Sequence, residues 1–109
     1  MQPETLNAVV QELKCEIGYN TDFNDPATDM RLMNYIKRGE AKLNEIAGTE
    51  IDFDTDLVAR GLLINYGRYE NSQVSEHFAT NYSKDLATLN AKYRIAEYLK
   101  SEGDGNEES

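Results

Sequence analysis

Apolar residues recur every three or four positions through most of this 109-residue chain. That spacing places them on one face of an α-helix, whereas a half-buried strand would alternate apolar and polar residues. No segment alternates in this way, and none has the roughly 20 consecutive apolar residues that a membrane span needs. The sequence therefore predicts an all-α fold, with four main helices in a single domain over residues 1–100 and no membrane contact.

Turn-forming residues mark where the first two helices begin and end. Pro3 favours the first turn of a helix that ends just before Gly18. Residues 18–25 then predict a loop, and Asp25 followed by Pro26 is the strongest start signal in the chain. The second helix, which begins there, is long and amphipathic, and Gly48 ends it.

The third helix, capped by Asp54 or Asp56, is the most apolar of the four. Its apolar residues spread around more than half of its circumference, which predicts a central helix packed by several neighbours. Gly61 would allow another helix to approach closely, at a cost of about 1 kcal/mol in helix propensity. These apolar residues are Leu57, Val58, Leu62, Leu63, Ile64, Tyr66 and Tyr69.

The last helix follows a short break at Asn71-Ser72 and a turn of helix, and it begins at Asn81 or Ser83. Its apolar stripe predicts packing against the third helix of the same chain. Residues 101–109 hold four acids and no apolar side chain, so we expect a disordered acidic C-terminal tail. The stripe consists of Tyr82, Leu86, Leu89, Tyr93 and Ala96, and Leu99 closes it.

The chain carries a formal net charge of −9, and its single cysteine excludes an internal disulfide. Affinity for nucleic acid depends largely on Lys and Arg, so the acidic balance argues against tight binding of phosphates. The lone thiol is typical of a reducing compartment such as the cytoplasm.

The three aspartates before the third helix resemble the opening of a calcium-binding EF-hand loop. Asp52, Asp54 and Asp56 have the right spacing, but Leu57 stands where the turn glycine is needed and Leu63 where the bidentate glutamate belongs. An acidic turn that caps the third helix explains these residues better.

Nothing in the sequence predicts catalysis, a metal site or a cofactor. His77 and Cys15 are the only residues of their types, so neither has a second ligand of its kind for a metal. The glycines form no phosphate-binding loop. We therefore predict that the protein is not an enzyme, has no cofactor and acts by contact.

Seven tyrosines in a chain without tryptophan suggest such contacts, because tyrosine is enriched at protein interfaces. Alternatively, tyrosines of the last two long helices line a small core with their hydroxyl groups at its edge, and the sequence leaves both interpretations open. The predicted oligomer-interface residues are Tyr66, Tyr69, Phe78 and Tyr82.

The order of these elements resembles the head–tail connector (adaptor, or head-completion) proteins of long-tailed bacteriophages. The resemblance covers about residues 5–95 and depends on three loose helical patterns around the second, third and last helices. The residues that carry it are Met33, Tyr35, Ile36, Ala41, Leu43, Ile46, Gly48, Leu62, Leu63, Tyr66, Arg68, Tyr69, Phe78, Asn81, Tyr82, Asp85, Leu86 and Leu89.

The resemblance implies a structural protein rather than an enzyme. Members of that family form a homo-oligomeric ring of about a dozen copies under the portal protein, through one repeated contact. The ring extends the channel through which DNA passes without specific binding, and it offers a docking surface to the next connector or tail protein. The implied location is the head–tail vertex of the virion, and the host cytoplasm during assembly.

The end of the last helix and the acidic tail are predicted to dock on the portal or on a neighbouring subunit, because a segment that orders on binding can reach a partner. The predicted docking residues are Glu97, Tyr98, Leu99, Glu102 and Asp104. A rival interpretation is an acidic helical regulator or DNA mimic, although lysines and arginines interrupt the rows of carboxylates that a mimic requires. A generic helical scaffold subunit is a second rival.

Overall fold

The computed structural model describes residues 1–19 and 25–108, with side chains through Glu102. It contains five α-helices and no strand in those residues, which confirms the all-α prediction. The predicted break before the last helix holds a short 3-10 turn and the smallest helix. The helices are α1 (Pro3–Glu16), α2 (Pro26–Ala47), α3 (Leu57–Asn71), α4 (Phe78–Asn81) and α5 (Ser83–Glu108), and the 3-10 turn is Ser75–His77.

Two predicted segments are not seen as expected. Most of the predicted loop over residues 18–25 lies outside the described residues. The predicted disordered tail is not shown either, because the described backbone continues as helix to Glu108, and Ser109 lies outside the described residues.

Local capping explains the helix boundaries. The Asp25 carboxylate accepts hydrogen bonds from the Ala27 N–H at 3.1 Å and the Thr28 hydroxyl at 2.7 Å, so it caps α2 as predicted. Gly48 ends α2 at a φ of +75°, a conformation that costs glycine little. For α3 the cap is Asp56, whose carboxylate accepts from the Ala59 N–H at 3.1 Å.

The central helix is α2, and the prediction that α3 is central was wrong. The helices α1, α3 and α5 all pack against α2, and the α2 residues Leu32, Ile36 and Leu43 are fully buried. At the start of α3, Leu57 and Val58 are 69% and 72% exposed. A broad apolar surface on α3 therefore does not mean that neighbours surround it.

The last helix packs chiefly against α2, which corrects the predicted packing against α3. On α5, Leu86 and Leu89 are buried, and the Asn90 side-chain amide donates to the Ile46 carbonyl at 2.8 Å. None of the described helices is long and apolar enough to cross a membrane.

Two ion pairs fix α1 to the rest of the bundle. Lys14 is buried and pairs with Asp29 of α2. The Arg60 guanidinium of α3 donates to both carboxylate oxygens of Glu12, at 2.6 and 3.0 Å. Bidentate pairs of this kind restrict geometry as well as adding attraction, so they fix the position of α1 along α3.

Close helix packing occurs at Gly39 and Gly67 rather than at the predicted Gly61. A Cβ atom added at Gly39 would lie 2.7 Å from Tyr66 Cδ1 and 2.8 Å from Leu63 Cδ1, where α2 and α3 cross. At Gly67 it would lie 2.9 Å from Leu13 Cδ2. A Cβ at Gly61 would meet nothing within 4 Å, so that glycine permits no close approach.

We expect Gly39→Ala and Gly61→Ala to change stability in opposite directions. Both sites lie inside helices, where alanine gains about 0.5–1 kcal/mol over glycine. At Gly39 the new methyl group must displace the Tyr66 ring, and overpacking of a core typically costs about 1–3 kcal/mol. Urea unfolding of the two variants measures the contrast, and equal stabilisation of both would contradict the observed α2–α3 crossing.

Candidate interaction surface

The four predicted oligomer-interface residues form one aromatic cluster within the chain. The Phe78 ring stacks on Tyr82 at a centroid distance of 4.8 Å and meets Tyr66 and Tyr69 edge-on at 5.3 and 5.7 Å. Phe78 and Tyr66 are buried, at 0% and 6% exposure, whereas Tyr69 and Tyr82 are half-buried. Only the last two have surface to offer a neighbouring subunit, so the predicted interface stays a prediction for them.

Tyr66 belongs to a polar network that joins α3 to α2. Its hydroxyl donates to Glu70 Oε1 at 2.6 Å, and Arg38 Nε donates to the same oxygen at 3.2 Å. Burial, together with the hydrogen bond to Glu70, raises the pKa of Tyr66 to about 12. The Tyr66 hydroxyl therefore stays neutral and donates to the Glu70 carboxylate, while its ring lies in the core. These contacts give Tyr66 a structural role.

Asp56 joins the start of α3 to the middle of α5. Besides capping α3, its Oδ2 atom accepts from Tyr93 Oη at 2.7 Å and from Lys92 Nζ at 2.9 Å. Burial disfavours the charged carboxylate, but the hydrogen bonds from Lys92, Ala59 and Tyr93 outweigh it and lower the pKa of Asp56. Burial and the bond to Asp56 raise the pKa of Tyr93 to about 12.

The three aspartates of the EF-hand-like segment form hydrogen bonds that stabilise the turn before α3. Asp52 Oδ1 accepts from the Asp54 N–H at 3.0 Å, and Asp54 Oδ2 accepts from the Thr5 hydroxyl at 2.8 Å. Asp56 caps α3, which confirms the prediction of a capping turn. Among the described residues, no three His, Cys, Asp or Glu side chains are grouped so that they could hold a metal ion.

The second half of α5 presents side chains that no described helix covers. Every side chain from Arg94 to Glu102, a segment that we call the arm, is exposed. Three of them are large and apolar: Ile95 is 58% exposed, and Tyr98 and Leu99 are 63% exposed. Apolar side chains scattered singly over a surface need no explanation, whereas three within two turns of one helix make this face of the arm unusually apolar.

The apolar side chains of the arm lie on the opposite face of α5 from the core. At 3.6 residues per turn, Leu86, Leu89 and Tyr93 share one face, and Ile95, Tyr98 and Leu99 share a face roughly opposite. Leu86 and Leu89 are buried against the bundle. The sequence carried this signal, because Ile95 and Tyr98 fall outside the predicted stripe, but Ile95 was not among the predicted site residues. Leu99 was predicted to close the stripe, and its 63% exposure corrects that prediction.

The predicted docking residues lie in or next to this arm. Glu97, Tyr98, Leu99 and Glu102 are all exposed. Asp104 belongs to the helical backbone beyond Glu102, where side chains are outside the described part. The structure therefore brings these residues onto one exposed helix, but Glu97 lies on the core-facing side of the arm and Tyr98 and Leu99 on the outer side.

A second exposed apolar surface lies where α3 begins. A small cleft of about 160 Å³ separates the first turn of α3 from α5. Val58 lines the cleft, and Leu57 precedes it in the first turn of α3. Both are exposed, and sequence reasoning missed this surface because it placed both residues in the core. The residues that line the cleft are Asp56, Val58, Asp85, Thr88, Leu89 and Lys92.

Comparisons with known proteins found no relative of this chain. No family model, no curated protein and no solved structure matches the chain.

Proposed function

We propose that this chain is a structural adaptor that assembles as a ring and joins two larger assemblies. More specifically, we propose that the ring lies under a bacteriophage portal, where it extends the DNA channel and joins the capsid to the tail. The single observation that carries the adaptor role is the exposed arm of α5, with three large apolar side chains on its outer face. The phage setting depends on the sequence resemblance alone.

The arm is suited to a contact between molecules because the fold does not use its outer face. The 26 residues of α5 span about 39 Å at 1.5 Å per residue, and the whole chain is 59 Å long. Only the first half of the helix buries apolar side chains against α2. The second half therefore keeps its apolar surface for a partner.

The negative charge also supports a channel-forming role. A formal net charge of −9 on each copy would repel a passing phosphate backbone rather than bind it. Basic side chains are partly occupied by acids of the same chain: Arg38 pairs with Glu70, and Lys92 with Asp56. DNA would then pass through the ring without a specific contact.

Sedimentation of the purified chain, alone and with a bacteriophage portal protein, tests the function. We expect a fast-sedimenting complex with the portal ring, and we expect Leu99→Ala to weaken it at least tenfold. A tenfold loss corresponds to about 1.4 kcal/mol, which is typical of an interface contact. Met30→Ala is the matched control, because Met30 is equally exposed at 67% but lies on α2.

The DNA-mimic alternative predicts a different result in the same assay. A mimic would leave the portal unbound and would displace DNA from a DNA-binding protein, with an affinity that falls as salt rises. The ion pairs of Glu12, Asp56 and Glu70 with Arg60, Lys92 and Arg38 weigh against it, because they neutralise acids that a mimic would display. No binding to the portal, combined with such displacement, would replace the connector proposal.

A further inference from the structure

We infer that the outer face of the arm of one copy docks at the cleft between α3 and α5 of the next copy. The contact joins Ile95, Tyr98 and Leu99 of one chain to Leu57 and Val58 of its neighbour. This inference rests on the proposed ring and specifies how its subunits touch. Such a contact uses two different surfaces of one molecule, and this heterologous type generates a ring when the rotation between copies closes.

The apolar surface exposed on both the arm and the start of α3 is the first reason to pair them. The five side chains at the two surfaces are 58–72% exposed, and they form most of the large apolar exposure among the described residues. Each surface alone is small, and neither is covered by the part of the chain that the structure describes. Joining them removes apolar area from water on both sides of one contact, which is the main favourable term in protein association.

The charged residues beside the two surfaces are complementary when the helices run parallel. Along α5, the cleft carries Asp85 and, seven residues later, Lys92. The arm carries Arg94 and, eight residues later, Glu102. These spacings correspond to about 10.5 and 12 Å along a helix. An offset of nine residues places Arg94 opposite Asp85, an offset of ten places Glu102 opposite Lys92, and the two offsets differ by only about 1.5 Å, within the reach of these long side chains.

The same register brings the apolar residues together. It shifts one α5 by nine or ten residues along the next, and at an offset of ten Tyr98 and Leu99 of the arm lie opposite Thr88 and Leu89. These two residues line the cleft together with Val58. Lys92 is 57% exposed in its pair with Asp56, and an ammonium group has three donors, so it can also pair with an incoming glutamate.

Cysteine cross-linking tests this contact directly. In a Cys15→Ser background, one preparation carries Val58→Cys and a second carries Leu99→Cys. We expect oxidation of the mixture to give a disulfide-linked dimer, and each preparation alone to give at least tenfold less. A disulfide requires Cβ atoms about 3.5–4.5 Å apart, so its formation reports a specific approach.

The controls separate this contact from other arrangements. Met30→Cys mixed with Leu99→Cys measures random collision, because Met30 is equally exposed and lies on neither surface. If Leu99→Cys alone dimerises as well as the mixture, the contact is a symmetric pairing of two arms and the inference is overturned. A mixture that links no better than the Met30→Cys control overturns it too.

Charge reversal checks the register. Asp85→Lys in the Val58→Cys chain should reduce cross-linking, and Arg94→Glu in the Leu99→Cys chain should restore it. Reduction without restoration would overturn the parallel register. Failure of the cross-link while the unmodified chain still sediments with the portal would reject only this contact, whereas cross-linking without portal binding would reject the proposed function.

Discussion

Replacing Phe78 with alanine is expected to lower the free energy of unfolding by about 3–5 kcal/mol, the usual cost of truncating a fully buried aromatic side chain. Its ring is 0% exposed, stacks on Tyr82 and meets Tyr66 and Tyr69 edge-on. Aromatic pairs of this geometry add about 0.5–1.5 kcal/mol beyond the burial of area. Small domains have a total stability of only about 5–15 kcal/mol, so the variant should be largely destabilised.

Urea unfolding followed by circular dichroism measures this loss, with Tyr98→Ala as the control. Tyr98 is 63% exposed, and substitutions at such positions usually change stability by less than about 0.5 kcal/mol. The comparison also decides the role of the aromatic cluster. If Phe78→Ala left stability unchanged but reduced the size of an assembled ring, Phe78 would be an interface residue, as first predicted.

Replacing Asp56 with alanine is expected to cost about 2–6 kcal/mol, because one carboxylate performs three functions. Loss of the α3 cap costs about 0.5–2 kcal/mol. The Tyr93 hydroxyl, now without its acceptor at 2.7 Å, adds about 1–3 kcal/mol, and the exposed pair with Lys92 adds no more than about 1 kcal/mol. Thermal and urea unfolding both measure the sum.

A double-mutant cycle with Tyr93→Phe isolates the bond between α3 and α5. In the Asp56→Ala background, removal of the Tyr93 hydroxyl should cost less than in the native chain, because its partner has already gone. The pKa of Asp56 is lowered in the folded state, so its stabilisation is present above about pH 4 and is lost as the pH falls further. Equal effects of Tyr93→Phe in both backgrounds would contradict the bond.

Helix boundaries could be predicted from the sequence because capping is local. Asp25, Pro26 and Gly48 act on residues within one turn of themselves, and the structure confirms all three. The cap of α3 was predicted only as Asp54 or Asp56, since both precede the apolar run. In the structure Asp56 is the cap, and its other carboxylate oxygen accepts from Tyr93 and Lys92 of α5, which lie more than 35 residues away.

Helix order in space could not be predicted in the same way. The apolar circumference of α3 suggested a central position, but burial depends on which helices are adjacent, and α2 holds that position. Close packing at the glycines could not be predicted from the sequence either. Gly39, Gly61 and Gly67 are equivalent inside their helices, and only the crossing of the helices makes two of them tightly packed.

Periodicity and capping in the sequence by themselves determined that this protein is all-helical, where its long helices begin and where the first three of them end, because both signals act within a turn or two of helix. Only the tertiary structure decided that α2 is central and that Phe78 is buried. It also decided that the outer face of the α5 arm and the start of α3 remain exposed. Which side of a helix is covered depends on residues distant in the chain, and a helical pattern has the same spacing whether its apolar face meets the core or a partner.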